Sequence, residues 1–195
     1  MFIKKLYTAL VFLMAFGCMN AQETTASVEK SLFNIQTGVG IWASHEGRLA
    51  NQWALRTEVG LDMWSYEIHR YNSLAERETG IFFAPSISVE PRWYYNLQKR
   101  ADNGRHTSNN SANFLTVAVK YSPDWFKTSG PDDISLPNQI SFVPKWGIRR
   151  AIAKSSFNYE LGAGLGPIWY LSGKNGLNDS ADIMFDIHLR IGYTF

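Results

Sequence analysis

Cysteine is nearly absent from this chain of 195 residues: the only one is Cys18, inside an N-terminal leader. That leader, MFIKKLYTALVFLMAFGCMNAQ, places Lys4 and Lys5 ahead of an apolar run over residues 6–16 and a small residue, Ala21. This is the pattern of a cleaved secretory signal peptide, expected to cover residues 1–21. Phe16 and Ala15 suit a lipidated Cys18 poorly, so cleavage without lipidation is expected. The domain expected after cleavage, residues 22–195, has no thiol, which excludes disulfides, thiolate metal sites and cysteine nucleophiles. An excess of charge of either sign is missing too. Without Lys4 and Lys5 the 19 basic residues become 17, equal to the 17 acidic ones, and no basic surface for nucleic acid is expected. After the leader no apolar run reaches the ~20 residues of a membrane-crossing helix, and no amphipathic helix of any length is legible.

What the sequence does contain is alternation. Over residues 181–195 the odd positions Ile183, Phe185, Ile187, Leu189, Ile191, Tyr193 and Phe195 are apolar, and the even positions are mostly polar. The same period of two runs through residues 33–41, 52–63, 81–95, 114–122, 139–149 and 157–169. Successive side chains of a strand point to opposite faces, so each run reads as a strand with one greasy and one polar face. Pro85 and Pro91 are costly inside a central strand and are expected to mark bulges or ends. Turns rich in Gly, Asn, Asp and Ser join the runs, which makes the fold all-β and antiparallel.

A soluble sandwich and a membrane barrel both alternate; the composition of the polar face separates them. Here that face carries Arg56, Arg92, Lys120, Lys145, Arg149 and Arg190 against Glu58, Asp62, Glu90, Glu160, Asp182 and Asp186, with Gly162, Gly164 and Gly166 interspersed. Balanced charge mixed with glycine suits a narrow lumen closed by ion pairs. The apolar faces end in aromatics, at Trp53, Trp93, Tyr95, Trp146, Trp169, Tyr193 and Phe195, and Trp and Tyr favour membrane interfaces. An even strand count requires one more strand than the seven runs. The expectation is an eight-stranded antiparallel, up-and-down transmembrane β-barrel, with the segment from Ser27 to Glu46 dividing near Gly38 and Gly40.

The terminal LRIGYTF resembles the carboxy-terminal signal of bacterial outer-membrane barrels, and SVEPRWYYNLQKR, VPKWGIRRAIAKSSFNYELGAGLG and HLRIGYTF resemble a group of small porin-like outer-membrane β-barrel proteins. The resemblance implies the outer membrane of a Gram-negative bacterium, contact with its lipids, and assembly by the barrel assembly machinery, with Tyr193 and Phe195 as the insertion signal. It implies no catalytic residues. With Phe195 at the periplasmic end, residues 64–80, 123–138 and 172–180 are expected outside, and residues 44–51, 96–112 and 150–156 in the periplasm.

Asp186 and His188 share a strand face, and with Glu90 or Glu160 they could form a base and its orienting acid; an interior salt-bridge role is the expectation instead. The acidic stretches SGPDDIS and GLNDSAD lack the calcium-loop spacing, so no metal or cofactor is expected. A lipid A-modifying hydrolase would need an outward-facing Ser beside a His near the rim, whereas His45, His69 and His106 are read in connections. The expected protein is a monomer and not an enzyme. Its lumen is mostly plugged and its role structural or surface-interacting, with a narrow small-solute channel as the alternative.

Overall fold

A residue pattern of period two can bury only one face of a strand, and eight such strands can dispose of their free edges by closing on one another. The computed structural model describes residues 26–69, 77–131, 134, 136, 138–172, 176–177 and 181–195; the expected signal peptide lies outside them. Eight strands form the fold: β1 (Ser31–Gly38), β2 (Gly40–Ala50), β3 (Trp53–His69), β4 (Arg77–Trp93), β5 (Asn113–Ser122), β6 (Gln139–Ala151), β7 (Phe157–Ser172) and β8 (Asp182–Thr194). A two-residue strand, Gly176–Leu177, folds back on the end of β7. Each of the eight pairs antiparallel with its sequence neighbours, and β8 pairs with β1, so the sheet is a closed up-and-down ring.

The division expected between Gly38 and Gly40 is where β1 ends and β2 begins. Only Val39 separates them, and Gly40 takes φ +141°, with a Cβ there falling 2.4 Å from Leu61 O. Other expectations need correction. Residues 64–69 and 77–80 are not loop: they extend β3 and β4 into a hairpin paired from Trp53↔Trp93 to His69↔Arg77, because Trp64, Tyr66, Ile68 and Phe82 continue the strand pattern past its polar positions. Pro85 and Pro91 mark neither bulge nor end. Both lie inside β4 opposite Leu61 and Leu55 with no shift of register; Pro91 falls in a gap of the β4–β5 ladder, where Thr116 Oγ1 donates to Pro91 O at 2.8 Å, and Pro85 lies beyond the residues of β4 that pair with β5. A short helix, α1 (Leu97–Asp102), occurs where none was read.

The ring has two different ends. One holds Phe195, the β2–β3 turn and residues 94–112; the other holds the β1–β2, β3–β4, β5–β6 and β7–β8 connections. At the first end Val28, Ala54, Tyr94, Leu97, Ala112 and Phe114 pack into an apolar cluster, and Val28 N–H donates to Asn51 O at 2.8 Å. The largest apolar cluster among the described residues is therefore a floor across one opening. Along the strands polarity is inverted: Phe33, Ile35, Val59, Leu165, Phe185 and Ile187 are exposed, while Arg56, Arg92, Arg149 and Glu160 are fully buried.

Interior bulk is accommodated by side-chain-free positions opposite it. A Cβ at Gly147 would lie 2.3 Å from Phe114 Cζ, one at Gly162 would lie 2.3 Å from His188 Cε1, and one at Gly164 2.3 Å from Lys145 Cγ. Overpacking of this kind typically costs about 1–3 kcal/mol. Gly147→Ala should therefore lower the urea midpoint of unfolding, whereas Gly47→Ala, whose new Cβ meets only His45 Cε1 at 3.6 Å, should leave it nearly unchanged. Equal midpoints for the two variants would contradict this packing.

Candidate functional site

Inward-facing charge is the chemistry of this chain. Three arginines meet next to the apolar floor: Arg56 from β3, Arg92 from β4 and Arg149 from β6, all fully buried. Glu160 from β7 lies among them, accepting from Arg92 Nη1 and Nη2 at 2.9 and 2.8 Å in the bidentate manner that makes Arg–carboxylate pairs strong, and from Arg56 Nη1 at 3.2 Å. Glu46 from β2 accepts from Arg149 Nη1 at 2.6 Å, from Tyr94 Oη at 2.8 Å and from Asn110 Nδ2 at 2.9 Å. Arg92 is also stacked on the Phe114 ring at 4.2 Å, which joins the charged layer to the apolar floor.

A second layer lies toward the hairpin end. Glu90 accepts from Arg92 and from Lys145 Nζ at 3.1 Å, and Lys145 also reaches Asp186 at 3.1 Å. Arg190 binds Glu58 at 2.7 Å while lying 3.9 Å over the Trp42 ring; Arg56 closes on Glu58 from the other side. His188 stands between Glu160 at 3.4 Å and Asp186 at 3.5 Å. Nearest the opening, Lys120 pairs with Asp62 at 2.5 Å, and Asp62 accepts from Trp42 Nε1 at 2.9 Å. Among the described residues this makes six interior cations and six carboxylates, an interior neutral without His188.

Of the thirteen residues expected in the lumen network, twelve are brought together. Asp182 is not: it is exposed at the start of β8 and makes no ion pair among the described residues. Glu46 and Tyr94, both central, escape the sequence reading. Glu46 shares parity with Trp42 and Ser44, and extending the alternation from residue 41 to residue 46 would have found it. Tyr193 and Phe195 lie on the outer face, edge to face with their ring centroids 5.0 Å apart.

His45 is also misplaced by the sequence reading. It belongs to β2 rather than to a connection, lies on the outward face against Phe33, and its Nε2 is 2.9 Å from Ser31 Oγ. His69 ends β3 and its side chain lies outside the described residues, as do both acidic stretches in part. No group of residues able to hold a metal ion occurs among the described residues.

Removing one member of a buried ion pair strands its partners and costs about 3–5 kcal/mol, whereas an exposed pair contributes ~1 kcal/mol or less. Glu160→Gln should thus destabilise the fold severely by urea unfolding, and Asp62→Asn less, because its single ionic partner among the described residues, Lys120, is 24% exposed and can turn to water. The reverse ranking would show that the Glu160 cluster does not hold the ring together.

No protein-family model matches this chain, and comparison with curated proteins and with solved structures gives no match.

Proposed function

We propose that this chain is an integral outer-membrane β-barrel of the small porin-like kind, exported with a cleaved signal peptide, with a plugged lumen and a structural or surface-interaction role. One observation carries the reading: a closed ring that buries its charges and turns Phe33, Ile35, Val59, Phe185 and Ile187 outward. In water such a surface is a liability; in a bilayer it is the surface required, and closure of the ring through β1 and β8 pairs most of the backbone that would face lipid. Trp53 stacked on Trp93, with Tyr95, Phe157, Tyr193 and Phe195 around the same end, suits a membrane interface. Outer-membrane lipids and the barrel assembly machinery are its partners, and it acts as a monomer.

The plug argues against general porin activity. An eight-stranded ring leaves an interior that side chains can fill, and here the Arg56, Arg92, Arg149, Glu46 and Glu160 cluster lies over an apolar floor. The hairpin end supports surface recognition: β3 and β4 run 17 residues each, and Trp125 and Phe126 in the β5–β6 connection are exposed. Thr128 holds that connection to the edge of β4, its N–H donating to Phe83 O at 3.1 Å and its Oγ1 accepting from Phe83 N–H at 3.1 Å. Fractionation should place the protein in the outer membrane, with heat-modifiable gel migration and no steady conductance in planar bilayers. A soluble periplasmic pool would defeat the membrane reading, and large steady steps would defeat the plug.

Ser31 and His45 favour a second reading, a lipid-ester hydrolase. They form an outward nucleophile and base within hydrogen-bond reach, although among the described residues no carboxylate is hydrogen-bonded to the imidazole. Under this reading a fluorophosphonate probe labels the wild type and not Ser31→Ala; equal labelling of both removes it.

A further inference from the structure

Toward the hairpin end the ring is not continuous. β1 pairs with β8 only through residues 34–37 and 191–194, and β2 pairs with β3 no further than Gly40↔Asp62. The β1–β2 turn therefore stops short of both its neighbours. Beyond it, residues 182–188 of β8 and 64–69 of β3 have no strand partner on the β1–β2 side among the described residues, which leaves a gap in the hydrogen-bonded ring. The side chains bordering β8 record the missing neighbour: Ile183, Phe185 and Ile187 are 72, 75 and 80% exposed, while no outward apolar residue of β3 to β7 exceeds 56%.

Behind this gap lies a cavity of about 220 Å³, room for roughly seven waters at liquid density. Its mouth is apolar, formed by Val39, Met63, Trp64, Met184 and Leu189, and its depth is polar. Ser88 lines it, is 5% exposed, and its hydroxyl has no hydrogen-bond partner. His188 lines it as well; both ring nitrogens are buried, near Glu160 and Asp186 but without hydrogen-bond geometry to either. Buried polar groups are normally satisfied, so the Ser88 hydroxyl is a donor and acceptor not spent on the fold, while the His188 ring is held only loosely between its two carboxylates. The charges around them are spent. Lys145 is held by Glu90 and Asp186, Arg190 by Glu58 and Lys120 by Asp62, so the cavity asks for no net charge in an occupant.

We infer that the gap admits a single-chain amphiphile from the surrounding bilayer. Its uncharged, hydroxyl-bearing head seats against Ser88 and His188, and its apolar tail leaves between β8 and β3 over Val39. A freely soluble solute would gain nothing from the apolar mouth, and a cavity of this size holds a head without an acyl chain. The inference rests on the membrane-spanning reading.

The test uses the full mature protein in lipid nanodiscs with a monoacylglycerol carrying a photoreactive diazirine in its chain. Labelling should concentrate on peptides holding Val39, Met63 to Trp64 and Met184 to Leu189, and excess unlabelled monoacylglycerol should suppress it. Ser141→Phe, which fills the cavity wall, should weaken it about tenfold, equivalent to ~1.4 kcal/mol of binding. Ser88→Ala, which adds no bulk, should weaken it in the same direction if Ser141→Phe fails to fold. Labelling spread evenly over the outward apolar face, indifferent to competitor and to both substitutions, overturns the inference while leaving the membrane reading intact. Failure of the folded wild type to enter nanodiscs overturns the membrane reading itself.

Discussion

Three guanidinium groups withdrawn from water must each meet a carboxylate, and this requirement organises the molecule. Arg56, Arg92 and Arg149 converge from three strands onto Glu160 and Glu46, which come from two others. Desolvating one such ion without a partner costs several kcal/mol, so the five strands cannot shift register independently: moving any of them by one residue would turn its charge to the outer face. The cluster thus selects one register for the ring, a role for which its net contribution to stability matters less than its intolerance of error. Tyr94 and Asn110 tie the same cluster to the residues that seal one end.

Inversion of polarity follows. With the charged set inward, strict alternation sends the aliphatic set outward on every strand. The interior then has little width for both charge and bulk, and glycines at 147, 162 and 164 yield space to Phe114, His188 and Lys145. The two halves of the ring consequently differ. One is filled by ion pairs over an apolar floor; the other keeps a cavity beside the short β1–β2 hairpin, where the Ser88 hydroxyl has no hydrogen-bond partner.

Period-two alternation made the strand number and most of the interior legible, because parity alone decides which face a side chain joins once a strand is recognised. The division at Gly38 and Gly40 was legible for another reason: an even strand count required one more strand, and the two glycines offered the place to turn. Strand length was harder. The pattern between residues 64 and 80 contains Glu67, His69, Arg77 and Glu78 among its aromatics, and such polar interruptions read as loop although the two stretches pair as strands. Glu46 is missed because the alternation is followed only to residue 41 and residues 44–51 are read as a connection, and the Ser31–His45 pair because its partners are adjacent only through strand register. Neither the gap beside β1 nor the cavity behind it leaves a sequence signal, since both arise from where neighbouring strands stop pairing.

The central claim is that the outward face of this ring meets lipid. Cys18 is the sole native cysteine, so single nitroxide labels can be placed at Val59→Cys, Leu165→Cys and Ile187→Cys in a Cys18→Ala background, on three separate strands, and their collisions with oxygen and with a water-soluble nickel chelate compared in native membranes. The account predicts that all three labels relax more with oxygen than with the chelate. Greater access of the chelate at these positions would contradict it.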